Sequence, residues 1–255
     1  MQKRNYVRGF TLVEMVMALV VLGVISLGIG SYLQLGAQGY VDTRVREQIQ
    51  SQARFAVERL SRELRHAVPN SLTVSSDHKC ITFTPIEYAG FYIDSSLDDV
   101  DKLQGIMSSP VQGKKAKVNK HRLVINPVQP ADLTSAMRSA EIKKVRGRKG
   151  QPWLITLKST TSFESESVSE RFYIYGLDVQ FCLAGEQLTR ATRTTGNALF
   201  STPVTLAEKV TSKDSHFTLE HAALNRNQLV HFQLVFSNNG EKTQYSHDVQ
   251  VMNVP

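Results

Sequence analysis

Between Phe10 and Leu33 the chain runs for 24 residues with a single charge, Glu14. As a helix rising about 1.5 Å per residue this block is roughly 36 Å long, enough to cross a hydrocarbon core with some tilt. The residues before it hold Lys3, Arg4 and Arg8 and no acid. By the positive-inside rule that basic flank stays cytoplasmic and everything after Leu33 is sent across the membrane. A secretory signal peptide shares the basic-then-apolar order. Here, however, the apolar run exceeds the usual h-region, and Ser31-Tyr32-Leu33-Gln34-Leu35-Gly36-Ala37-Gln38 offers no persuasive small-x-small site before Tyr32. An ordinary anchor leaves Glu14 unexplained, since an acid at the centre of a membrane helix costs roughly 2.5–3.5 kcal/mol, and less toward its edge.

Whole-chain averages hide this block. A net charge of +7, 41% hydrophobic residues and a mean hydropathy of −0.22 describe an ordinary soluble protein of 255 residues. The apolar residues are in fact divided between the N-terminal block and a later region. Two cysteines exclude a disulfide-dense miniprotein and a cysteine-rich zinc module, and allow one bridge.

Beyond Leu33 the apolar pattern narrows to a stripe. Val41, Val45, Ile49, Ala53, Ala56, Val57, Leu60, Leu64 and Ala67 recur at spacings of three and four, the mark of one buried helix face. The opposite face carries charges that include Arg54, Arg62 and Arg65, with Glu58 and Arg62 placed as an i,i+4 pair. Pro69 predicts the stop, so the helix is expected over 10–67. Gly23, Gly28, Gly30, Gly36 and Gly39 predict either bending between about 23 and 39 or close packing of membrane helices.

After Asn70 the pattern shortens to strands rich in β-branched and aromatic residues: Cys80–Pro85, Phe91–Ile93, Leu123–Ile125, Trp153–Leu157, Phe172–Tyr175 and Leu177–Leu183. Val230, Phe232, Leu234 and Phe236 alternate with other residues before Ser237-Asn238-Asn239-Gly240 turns the chain into Thr243–Val251, a hairpin. Residues of about 95–150 read instead as a long polar loop region. Between Lys114 and Lys149 eleven Lys/Arg face two acids, Asp132 and Glu141, and Lys143, Lys144, Arg146, Arg148 and Lys149 are the densest part. Such a cluster binds nucleic acid or an anionic surface by neutralising phosphates, or it is a solvated loop. The absence of interleaved aromatics favours the loop. Cys80 and Cys182 each lie in a strand-like run, which suits a disulfide in an oxidising compartment or two buried thiols.

No enzyme is legible. Gly113-Lys114 lacks the first glycine and the final Ser/Thr of a phosphate loop, and the seven histidines show no metal-ligand spacing. Asp98, Asp99 and Asp101 lack the spacing of a calcium loop. His231 and His247 are placed to face each other across the terminal hairpin. No catalytic residue, metal or cofactor is expected.

Gly9-Phe10-Thr11-Leu12-Val13-Glu14-Met15 behind the basic leader resembles the processing motif of type IV prepilins and type II secretion pseudopilins. Ser51 to Asn70, continuing through Ser71-Leu72-Thr73-Val74 to Cys80–Pro85, is similar to the helix end of the larger minor pilins and pseudopilins of the PilW and pseudopilin-J type. Among these it is most like the minor pilin-like proteins of the mannose-sensitive haemagglutinin (MSHA) pilus. The detailed likeness covers about residues 9–85, and beyond it only length, strand content and the second cysteine agree.

The resemblance implies an α+β, type IV pilin/pseudopilin-like fold, with a long N-terminal helix packed on an antiparallel β-rich head. It implies a leader over 1–9, a transmembrane and assembly half over 10–33, an amphipathic half over 34–68 and a periplasmic head over 69–255. A prepilin peptidase/methyltransferase would cut between Gly9 and Phe10 and methylate Phe10, leaving Glu14 fifth in the mature chain. The subunit would rest in inner-membrane lipid, then join other minor pilins and the major pilin at the fibre tip. The α-amino group freed at Phe10, with a reference pKa of about 7.7–8.0, needs an anionic partner in low dielectric. Glu14 of a neighbouring subunit is the expected partner, the alternative being that Glu14 snorkels to the headgroups.

Overall fold

A computed structural model describes residues 9–94, 96–108, 120–147, 151–220, 227–238 and 240–251. The chain divides into two compact units, Met1–Gln48 and Ile49–Pro255. One α-helix, α1 (Leu12–Arg65), is followed by β1 (Thr73–Val74), β2 (Cys80–Phe83), β3 (Tyr88–Tyr92), β4 (Val100–Met107), β5 (Arg122–Ile125), β6 (Ser139–Arg146) and β7 (Trp153–Thr161). Then come β8 (Arg171–Tyr175), β9 (Leu177–Ala184), β10 (Gln187–Thr194), β11 (Val204–Glu208), β12 (His216–Glu220), β13 (Gln228–Asn238) and β14 (Glu241–Val251). A long N-terminal apolar helix with a β-rich C-terminal region is therefore the architecture.

α1 runs unbroken through all five glycines between 23 and 39, so the helix does not melt there. An added Cβ at any of them would meet nothing within 4 Å. The helix also ends two residues earlier than Pro69 alone predicts. His66 and Ala67 leave the ladder because the His66 carbonyl accepts from Ile86 N at 2.8 Å and Ala67 bridges to Pro85. Asn70, at φ 59°, then turns the chain; its amide N–H donates to Gln228 Oε1 at 3.1 Å and its Nδ2 to the Pro127 carbonyl at 2.8 Å.

In the second unit the helical stripe becomes core. Ile49, Ala53, Ala56, Leu60 and Leu64 are buried, whereas Val41 is exposed and Val45 half-buried. Burial therefore begins at Ile49, not at the start of the expected amphipathic half. Arg59 pairs with Glu63 at 3.0 Å, and Glu63 in turn holds Arg190 of β10 at 3.0 Å. The expected Glu58–Arg62 pair is not among the ion pairs of the described residues.

Three sheet systems follow, with every pairing antiparallel. The first has the order β1-β2-β9-β10-β11 and buries Ile81, Phe83, Val179, Phe181 and Leu183, with the Phe83 and Phe181 rings stacked at 6.1 Å. The second, β12-β13-β14, buries Phe217, Val230, Phe232, Leu234 and Phe236. The third is a closed six-stranded barrel in the order β3-β4-β7-β6-β5-β8. Its interior is filled by side chains including Leu103, Leu123, Ile142, Ile155, Phe172 and Ile174. Gly90 and Gly105 are required there: a Cβ on Gly90 would lie 2.4 Å from the Ile106 carbonyl oxygen, and one on Gly105 would lie 2.6 Å from the Phe172 ring.

The region expected as a basic loop, about 95–150, holds β4 and β6 of the barrel as well as β5, the strand expected at Leu123–Ile125. Apolar residues such as Leu103, Leu123 and Val145 are buried while Lys102, Lys143 and Arg146 are exposed. Part of the positive surplus is neutralised locally. Arg122 meets Glu141 at 3.4 Å, and Arg138 lies 3.3 Å from Glu164 and 3.7 Å from Asp132.

Candidate functional site

The N-terminal motif is laid out around the start of α1. Gly9, Phe10 and Thr11 precede the helix, and Glu14 lies in its first turn. Thr11 caps the helix: its Oγ1 accepts from Glu14 N at 3.3 Å and its carbonyl accepts from Met15 N at 3.2 Å. Thr11-Leu12-Val13-Glu14 thus has the order of a capping box, with an acid where the positive end of the helix dipole favours one. That local signal for Glu14 is readable in the sequence, independently of any resemblance.

From Phe10 to Leu35 the large apolar side chains stand bare, Phe10 at 81% and Leu12 at 80% exposure. α1 is long and apolar enough to cross a membrane by length and composition, and none of its most apolar window is buried. A surface of this extent does not persist in water; lipid or other apolar helices must cover it. Within it Ser26 is compatible with lipid, because its Oγ donates to the Leu22 carbonyl at 2.7 Å.

Of the other residues singled out by sequence, the two cysteines are brought together from distant parts of the chain. β2 and β9 pair with Cys80 opposite Cys182, their Cα atoms 4.2 Å apart and their sulfurs bonded. Lys143 and Arg146 are exposed on β6 and Lys144 is half-buried, with a register shift between Ile142 and Lys144 in the pairing with β7. Arg148 and Lys149 lie outside the described residues. His231 and His247 do not face each other. The hairpin register sets His231 opposite Asp248, with Nδ1 2.6 Å from Oδ1, and turns His247 to the other face, 5.7 Å from the Phe232 ring. Among the described residues no group of three or more His, Cys, Asp or Glu is arranged to hold a metal ion.

His216 and Glu141 are among the shifted groups of the second unit. Burial, then the nearby His231, Lys79 and His78, push His216 below its ordinary value. The hydrogen bond from Lys158, assisted by the charges of Lys158 and Arg122, holds Glu141 below the usual carboxylate range.

Residues 4–30 match the family described as the prokaryotic N-terminal methylation motif. The match spans Arg4 and Arg8 of the basic leader, Gly9, Phe10, Glu14 and all but the last three residues of the apolar block. It indicates a type IV pilin- or pseudopilin-like protein processed as a prepilin. Such a motif implies a prepilin peptidase as processing partner, assembly with other pilins and a structural rather than enzymatic role. The bare apolar helix fits membrane anchoring followed by assembly. No curated protein and no solved structure is significantly similar to the chain.

Proposed function

We propose that the chain is a minor pilin of an MSHA-type IV pilus, of the MshO kind, that primes assembly in the inner membrane and ends at the fibre tip. The observation that carries this reading is the methylation motif over 4–30 leading directly into a bare apolar helix. Prepilin peptidase removes residues 1–9 and Phe10 becomes the methylated N-terminus. The head, 69–255, stands in the periplasm, where oxidising conditions maintain the Cys80–Cys182 bond. Glu14 enters the assembled fibre opposite the N-terminal amine of a neighbouring subunit. That pairing offsets two charges which would each be costly alone in an apolar surround.

A β-rich region containing both a barrel and two further sheets suits a tip position, where the head need not fit between neighbours on every side. Its exposed Lys143 and Arg146 contribute to attachment to anionic surfaces. A minor pseudopilin of the J type in a type II secretion system shares the same motif and differs in the fibre it joins.

The test is a pair of substitutions in the native cell. Gly9→Ala should block processing. Glu14→Ala should be processed normally and be missing from purified fibres. Normal incorporation of Glu14→Ala contradicts the assembly role, and loss of protein secretion rather than of pili on gene deletion supports the pseudopilin. Charge reversal at Lys143, Lys144 and Arg146 should reduce surface attachment while leaving piliation intact; lost piliation would make this face an assembly surface instead.

A further inference from the structure

An open groove of about 620 Å³ lies in the second unit between one flank of α1 and β14. Arg54, Glu58, Ser61, Arg62 and Arg65 line it from the helix, recurring at helical spacing on one side, and Tyr245 and His247 line it from the strand. Arg54 to Arg65 spans about 16 Å of helix axis. Tyr245 is braced edge-on by Phe236 at 6.0 Å, so the strand wall is rigid and partly apolar.

Three observations mark the groove as built for an anionic chain. First, Arg54, Arg62 and Arg65 make no ion pair among the described residues, although Arg59 and Arg190 beside them both bind Glu63. Second, Ser61 is 6% exposed and its Oγ has no hydrogen-bond partner. Elsewhere on α1, Ser26 and Thr43 bond the carbonyl four residues back. A buried hydroxyl left without a partner in a groove is a donor and acceptor awaiting one. Third, β14 is the edge of its sheet, paired along its length with β13 and with no strand on its other side among the described residues. Its outer main-chain groups are open to strand addition.

We propose that this groove docks an extended acidic segment of a partner protein. The segment runs beside β14, with carboxylates on Arg54, Arg62 and Arg65 and one polar group on the Ser61 hydroxyl. The groove is open along one side and its cations are spread along the helix, whereas small-molecule sites enclose most of their ligand. Glu58, between Arg54 and Arg62, disfavours a uniform polyanion and suits carboxylates at intervals. The proposal concerns the second unit alone and stands independently of entry into a fibre.

The test uses the full chain in non-ionic detergent at low salt and follows fluorescence anisotropy of a labelled hexapeptide of alternating Glu and Thr. Saturable binding is expected, with none for the Gln-Thr counterpart. Arg62→Gln with Arg65→Gln should weaken binding about tenfold and Ser61→Ala about threefold, with unfolding midpoints unchanged. Lys102→Gln, at an exposed position of β4 on the barrel, should bind as the parent does. No saturable binding, equal binding of the Gln-Thr peptide, or indifference to the arginine substitutions overturns the proposal. Displacement of the peptide by an equal concentration of citrate also overturns it, by showing a small-anion pocket.

Discussion

Leu60→Ala asks whether α1 is built into the core of the head or merely precedes it. Leu60 is fully buried on the same stripe as Ala53, Ala56 and Leu64, all at 0% exposure. The substitution removes roughly three methylene-sized groups, about 0.8 kcal/mol each in transfer free energy. The cavity left behind adds to this, because small neighbours such as Ala53 and Ala56 cannot swing in to fill it, which places the total at about 3–4 kcal/mol. For a unit the size of Ile49–Pro255, each kcal/mol lowers Tm by about 2–4 °C, so a fall of roughly 10 °C is expected. Val41→Ala on the same helix, at a position 54% exposed, should change stability by no more than about 0.5 kcal/mol. The assay is thermal unfolding of the full chain in non-ionic detergent, followed by near-ultraviolet circular dichroism, with urea midpoints as a check. A fall of less than about 2 °C for Leu60→Ala, or equal falls for both variants, would refute the reasoning.

Gly90→Ala should destabilise the barrel by about 3 kcal/mol, because the new methyl meets the Ile106 carbonyl oxygen and the Phe172 ring at 2.4 and 2.6 Å; a urea midpoint equal to the parent's would contradict this. Reducing the Cys80–Cys182 bond, which closes a separation of 102 residues, should lower stability by about 2–4 kcal/mol and slow migration on denaturing gels; unchanged mobility after reduction would show that no bridge was present. His216 has a folded pKa depressed below the ordinary imidazole value of about 6.5, so below that value the unfolded chain binds the extra proton. Its contribution is present above about pH 6.5 and is lost as pH falls from there toward the folded pKa. Stability measured between pH 7 and 5 should therefore decline less steeply in His216→Gln, and identical slopes would contradict the assignment.

α1 was legible because two independent patterns, an unbroken apolar run and then a three-four stripe, agree on helix. β5 and β8 were legible for a related reason: each is buried on both faces, so Leu123, Val124 and Ile125, and Phe172 to Tyr175, form continuous apolar runs. β4 and β6 were not, and with them the barrel was missed. In β6 the register shift between Ile142 and Lys144 breaks the period-two pattern, leaving Ile142 and Val145 separated by two lysines. β10 was missed because it buries only Leu188 and Ala191 among threonines and arginines. Closure of six strands is a property of distant pairings that no local window contains. The hairpin error has the same origin, since one residue of register decides which of His231 and His247 faces outward. The groove combines residues 54–65 with 245 and 247, so its arginines read in sequence only as a solvated helix face.

The central claim is that this is a prepilin-processed subunit, and the N-terminus of the protein isolated from native membranes tests it most directly. Intact-mass and N-terminal peptide analysis should find a chain that begins at Phe10, carries one added methyl group there and lacks Lys3, Arg4 and Arg8. A chain that retains its leader in cells with an active prepilin peptidase, or that begins beyond Ala37 after signal-peptide cleavage, contradicts the account.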